Sequence, residues 1–343
     1  MVPIFRPSIR RADMDAVLTR LAEDSIGPGE LAREFSSTVA KYLGRRHAVA
    51  MRSYGQAMTG ALLSLGLPSG SRVGCSVLAP GAVQHSIEAA DLVAVPIDVQ
   101  KHIPVLPSPL NVDYQELNLS ALVVDTRLGY VAELEVLQEL RIPIVEDISE
   151  GLGGNTGTTM AGATGDITLI GTEPEHIVTS GGGAVVVTNN SRRLSVLHTL
   201  LSPEMGEPAL PDMNAALGLT QMKQLERFLE RRREIAAKML RVLQRTNHVL
   251  PLQGGEGENV FFALPVLVQS SPREVEQYAR THGVTAIRAF QYTILEMLDA
   301  AEEEVSHFPN ALTLASKMVL FPLFPALGSS EQERIERVLA TMP

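Results

Sequence analysis

Residues Ile142–Gly154 read IPIVEDISEGLGG: a short apolar run, Pro143 to Asp147, that closes on an acid and breaks into a glycine-containing turn. A run of this length and composition, without helical period, predicts a buried strand. Asp147 stands at its carboxyl end, where ligands of open α/β sheets bind; the alternative reading is an acid that caps the following turn. Upstream, strands and helices alternate: Arg72 to Leu78, Ala82 to Asp91, Val93 to Val99, Ala121 to Asp125 and Ala132 to Leu140. That order predicts an α/β domain on a largely parallel sheet. Nearer the N-terminus, Gly27-Pro28-Gly29 reads as a turn before a helix with Leu31, Phe35, Val39 and Leu43 on one face, and a second helix spans Ser53 to Gly66. Downstream, Asp166 to Gly171 and Ala184 to Thr188 read as strands around a glycine-rich turn, and Met213 to about Arg245 as one long helix. The expected division is a large domain over 1–240, with an N-terminal arm over about 1–30, and a small α+β domain over 241–343. The latter begins with a strand at Phe261 to Val268 and a helix at Pro272 to His282, then a strand from Val284. It ends on a helix opened by Ser330 with Glu333 as capping box.

Composition narrows the function. A net charge of -10 over 343 residues repels nucleic acid and anionic membrane surfaces at long range. Cys75 is the only cysteine, which excludes an intramolecular disulfide and a thiolate metal cluster and suits a reducing compartment. With no apolar run near the ~18 residues of a membrane span, a cytoplasmic location is expected. The histidines show no metal-ligand spacing, so no metal is expected. Gly181-Gly182-Gly183 follows no Walker pattern, and Arg231-Arg232-Arg233, set among glutamates, reads as a solvated helix face.

Four stretches carry a resemblance: IGPGELAREFSSTVAKYLGRRHAVAM from Ile26, the strand-and-turn from Ile142, MNAALGLTQMKQLERFLERRREIA from Met213, and FPNALTLASKMVLFPLFPALGSSEQERIERVL from Phe308. Together they resemble the DegT/DnrJ/StrS family of sugar aminotransferases, which use pyridoxal phosphate (PLP). The resemblance implies the aspartate aminotransferase fold: a large domain on a mixed, mainly parallel seven-stranded sheet, a small C-terminal domain, and a dimer with its sites at the subunit interface. A PLP enzyme of this type needs a lysine for the internal aldimine, an acid on the pyridine nitrogen, a phosphate cup and a ring stacked on the cofactor.

By the resemblance, Asp147 matches the acid that pairs with the pyridine nitrogen, and Glu150 stands where the family has a glutamine or histidine. The family's lysine motif reads roughly S-F-H-P-T-K-N-I-T-T-G-E-G-G; here the run is GTEPEHIVTSGGGAVVVTN from Gly171. Anchors on both sides, Gly165-Asp166 and Thr188-Asn189, give one ungapped register that puts His176 at the lysine position and Gly171 at the phosphate-binding serine. The five lysines stand at 41, 101, 223, 238 and 317, so no small slip in register supplies another. The family's S-G-T-A cup becomes Ser53-Tyr54-Gly55-Gln56, the asparagine that reaches the phosphate across the dimer falls near Glu207, and Ala79-Pro80-Gly81-Ala82 holds no stacking ring.

These residues predict a family member without PLP chemistry. It would expect no cofactor and would bind a nucleotide-sugar-like ligand or pair with a related aminotransferase, as a homodimer or a mixed assembly. A second reading keeps PLP, with His176 as the base of a nucleotide-sugar 3-dehydratase, a branch that replaces the lysine by histidine. A third is an interaction protein whose cleft is filled by Leu169, Ile170 and Tyr54.

Overall fold

The computed structural model describes residues 1–202, 208–251, 257–298 and 306–343. In chain order its elements are α1 (Arg11–Ala22), α2 (Glu30–Tyr42), β1 (His47–Met51), α3 (Tyr54–Leu63), β2 (Arg72–Ser76), α4 (Gly81–Ala89), β3 (Val93–Ile97), β4 (Ala121–Asp125), α5 (Leu134–Leu137) and β5 (Ile144–Asp147). There follow β6 (Ile167–Gly171), β7 (Ala184–Thr188), α6 (Ser191–Leu200), α7 (Asp212–Met222), α8 (Leu225–Leu243), β8 (Leu264–Leu267), α9 (Pro272–Thr281), β9 (Ile287–Arg288), α10 (Ile294–Leu298), α11 (Pro309–Lys317), β10 (Met318–Phe321) and α12 (Ser329–Thr341).

The main sheet has seven strands in the order β1-β7-β6-β5-β4-β2-β3. β7 pairs antiparallel with both β1 and β6, and every other pairing is parallel, so the sheet is mixed and mainly parallel as expected. Every residue of β4, β5, β6 and β7 is buried. That explains their near-continuous apolar runs, since strands covered on both faces show no alternation. A second sheet, β8-β10-β9, is antiparallel and carries its own core with Val275, Ile335 and Leu339.

Where the chain departs from its local pattern, a tertiary contact accounts for it. The predicted single helix over 213–245 is two, interrupted at Lys223 and Gln224. α7 packs on α1 and α2, and Gly218 lets the Phe35 ring approach so closely that a Cβ there would lie 2.7 Å from it. α8 then bridges the cores: Leu225 and Leu229 pack in the first, Ile235, Ala236 and Met239 in the second. Arg232, expected on a solvated face, is instead buried, donating to the carbonyls of Phe261, Phe262 and Leu323 at 3.0, 2.9 and 2.9 Å. Its neighbours do keep the expected character, Arg231 pairing with Glu234 and Arg233 with Glu258. The last helix is capped two residues earlier than its sequence suggests, at Gly328 rather than Ser330: Glu331, not Glu333, accepts from the Gly328 amide at 2.9 Å.

Two segments cross between the cores. Val2 joins the second core, exchanging backbone hydrogen bonds with Gly283 and Thr285, while Phe290, Ile294 and Leu295 join the first. The latter segment lies against the start of α4: the Gly81 amide donates to the Tyr292 carbonyl, and the Ile294 amide to Ala79. It therefore lies beside the carboxyl end of β2, and its Gln291 and Tyr292 line the same cavity as Asp125 and Asp147, the last residues of β4 and β5.

Candidate functional site

β4 and β5 are in parallel register with Asp125 opposite Asp147. Residues in register on adjacent parallel strands point to the same face, about 5 Å apart, so two carboxylates stand side by side at the carboxyl edge of the sheet. Their surroundings differ sharply.

Asp147 is fully supplied with donors. The Tyr54 hydroxyl donates to its Oδ2 at 2.6 Å, while the Ser149 amide (3.0 Å) and hydroxyl both donate to Oδ1. Burial pushes its pKa up and these hydrogen bonds pull against that rise. Tyr54 holds its proton firmly, its pKa driven well above the usual phenol value by burial and by the adjacent carboxylate. Asp125 is also buried, yet neither of its carboxylate oxygens has a hydrogen-bond partner among the described residues. Its pKa is pushed up to about 7: burial dominates, Arg127 opposes it, Asp147 and Glu150 add to it, and the residue's own backbone amide, near the carboxylate but outside hydrogen-bond geometry, lowers it least.

Arg127 follows β4 and its guanidinium pairs with Glu150, whose second oxygen accepts from the Leu128 amide at 2.6 Å. The Arg127 Nε also donates to the Leu78 carbonyl at 3.3 Å. Burial raises the Glu150 pKa and Arg127 pulls it back.

His176 lies past β6, with its Nδ1 accepting from the Glu173 amide at 3.0 Å. The ring is therefore the Nε2-protonated tautomer when neutral, and burial lowers its pKa to about 4. Gly171 ends β6 beneath it: a Cβ at this position would lie 2.6 Å from His176 Cε1 and 2.9 Å from both His176 Nδ1 and the Ser149 hydroxyl, to which the Gly171 amide donates. Gly171→Ser is therefore expected to cost about 1–3 kcal/mol by overpacking, and His176→Ala to relieve the part that comes from the ring, leaving the contact with Ser149. Urea unfolding of the two single variants and the double variant checks this; native stability in Gly171→Ser alone would remove the steric account.

A cavity of about 300 Å³ is lined by Tyr54, Asp125, Arg127, Asp147, Glu150 and His176, with Glu173, Glu175, Gln291 and Tyr292 at its edges. It counts against a cleft filled by side chains, and Leu169 and Ile170 lie instead in the core of the sheet. Of the residues singled out in the sequence, Tyr54, Asp147, Glu150 and His176 meet here. Ser53 instead caps α3, its hydroxyl accepting from the Gln56 amide at 3.2 Å, and Gly55 lines a separate apolar cavity with Met51, Gln56 and Ala89. Glu207 lies outside the described residues. No group of three or more His, Cys, Asp or Glu among the described residues is placed to hold a metal, and no described helix is long and apolar enough to cross a membrane. Asp125, Arg127 and Ser149 were not singled out, although ALVVD and PIVED both end on aspartate, a parallel that only the strand register makes meaningful.

The mixed seven-stranded sheet with its site at the carboxyl ends of β4 to β6 defines the class, an α/β fold of the PLP-dependent transferase type. Its structure overlays the aminotransferase TlmJ of Streptoalloteichus hindustanus with a TM-score of 0.88 at 20% identity, covering 99% of this chain and 98% of that one. It also overlays a GDP-4-keto-6-deoxymannose-3-dehydratase solved with a trapped PLP-glutamate geminal diamine, with a TM-score of 0.86 at 16% identity over 99% and 100% of the two chains. In sequence it is 24% identical to the UDP-4-amino-4,6-dideoxy-N-acetyl-beta-L-altrosamine transaminase of Campylobacter jejuni over 264 residues, 69% of this chain and 68% of that protein. The model of the DegT/DnrJ/EryC1/StrS aminotransferase family matches residues 7–340, and the chain belongs to that family.

Proposed function

We propose that this protein retains the sugar-aminotransferase fold without PLP chemistry. In this reading it serves surface-polysaccharide or deoxysugar metabolism by binding a small sugar-like ligand or by pairing, as a homodimer or with an active relative. The observation that carries the reading is the Tyr54 hydroxyl on Asp147. The carboxylate that would pair with a pyridinium already accepts from Tyr54 and Ser149, and the Tyr54 side chain stands between it and the start of α3, where the phosphate cup would be. The wall around it is acidic, with Asp125, Glu150, Glu173 and Glu175 facing one arginine. A phosphate dianion entering such a wall is opposed by roughly 1–4 kcal/mol for each ionised carboxylate at ~4 Å. These residues do not fit PLP.

The dehydratase reading needs His176 as a base. A histidine held at about pH 4 is a weak base at neutral pH, where proton transfer is best served by a group titrating near 7. Adding PLP to the purified protein is expected to give no saturable cofactor absorption band. A band that saturates and is abolished by Asp147→Asn would overturn the proposal and return the weight to PLP chemistry.

A further inference from the structure

Asp125 gives the cavity a chemical preference. Buried acceptors are almost always satisfied within the protein, and a buried carboxylate without donors is more costly than a neutral group. Asp125 is 4% exposed, lines the cavity, and has no hydrogen-bond partner on either oxygen among the described residues. Its neighbour across the register, Asp147, has three donors, so the shortage belongs to this one side chain. Among the described residues that line the cavity Arg127 is the one arginine or lysine, and it is committed to Glu150 and the Leu78 carbonyl. With Glu173 and Glu175 at the rim, the cavity presents more negative than positive groups.

A charge surplus of this kind can be met by a metal ion or by an organic cation. The described carboxylates and histidines do not converge into a group able to hold a metal. An ammonium makes the smaller demand: three N–H donors on one centre, two of which Asp125 can accept while the third meets a neighbouring oxygen. The volume, about 300 Å³, stands at the small end of ligand pockets. Tyr54, Gln291 and Tyr292 supply hydroxyl and amide groups able to engage a hydroxylated body.

We infer that the cavity binds a small polyhydroxylated amine, with its ammonium on Asp125 and its hydroxyls towards Gln291 and Tyr292. This deepens the proposed function and rests on its reading that PLP does not occupy the same space. The selectivity is opposite to that of a phosphate-bearing cofactor: the group that anchors the ligand is positive.

The test uses a matched pair, serinol, which carries an ammonium on its central carbon, and glycerol, which carries a hydroxyl there. The native chain is titrated with each at neutral pH by protein-observed NMR, and Asp125→Asn is titrated alongside after its fold is checked by circular dichroism. Serinol is expected to bind saturably and at least about tenfold more tightly than glycerol, the margin of a charge-assisted hydrogen bond over a neutral one. In Asp125→Asn that margin is expected to vanish. Equal binding of the two compounds, no saturable serinol binding, or an undiminished margin in Asp125→Asn would each overturn the inference. A PLP titration in the same buffer, read by absorption, separates the two claims. A PLP band removes the proposed function, whereas absence of the band together with absence of the serinol margin removes only the amine site.

Discussion

Asp125→Asn is expected to make the protein's stability markedly less sensitive to pH between 4 and 7. In the folded chain Asp125 keeps its proton up to about pH 7, against 3.8 for the ordinary carboxyl. Between those values the folded state holds a proton that the unfolded state has released, so stability falls as pH rises, and the loss is complete above pH 7. At about 1.4 kcal/mol per pH unit, the displacement amounts to about 4 kcal/mol at most. Asparagine has the same shape and no charge to desolvate, but its buried amide costs about 1–3 kcal/mol of its own. The variant is therefore expected to be no more stable than the native chain at pH 4 and more stable by about 1–3 kcal/mol at pH 8. Urea unfolding at four pH values across this range checks it, and parallel stability curves for the two proteins would refute it. A residue whose removal stabilises the fold is one that the fold does not need for itself, which is the pattern expected of a group kept for a ligand.

The same residue marks the limit of what local sequence reveals. Asp147 was readable because it closes an apolar run at the end of a strand, and the run of His176 was readable because anchors on both sides fix its register. Asp125 closes an equally apolar run, ALVVD, but its meaning depends on being opposite Asp147 across two strands, a relation with no local signature. Tyr54 was readable as a departure from the family's phosphate cup. That its hydroxyl would find Asp147, 93 residues away, follows only from the packing of α3 against the sheet. Arg232 fails for the same reason in the other direction. Its charged neighbours imply solvent, whereas the crossing of α8 between two cores buries it against three carbonyls. Strand positions and helix faces follow from periodicity, while the partners of polar groups at the site are set by contacts between distant elements.

Arg127→Met is expected to be the most damaging single change at the site, lowering stability by about 3–5 kcal/mol at neutral pH, the usual cost of leaving one partner of a buried ion pair alone. Among the described residues Glu150 would keep only the Leu128 amide as donor, and the Leu78 carbonyl would lose the Arg127 Nε. The arginine also pulls down the pKa of Asp125, Asp147 and Glu150 together. Without it all three carboxyls titrate higher, so the folded state takes up protons that the unfolded state lacks over a wider range, and the damage grows as pH rises and shrinks under acid conditions. Glu150→Gln in the same chain removes the stranded charge and is expected to recover a large part of the loss, so the two changes do not add. A double-variant cycle by urea unfolding at pH 5 and pH 8 measures this. A loss below about 1 kcal/mol that is the same at both pH values would mean that water reaches the pair and screens it. The expected coupling instead makes Arg127 the counterweight that lets five acidic side chains crowd one cavity while Asp125 is left with no partner of its own among the described residues.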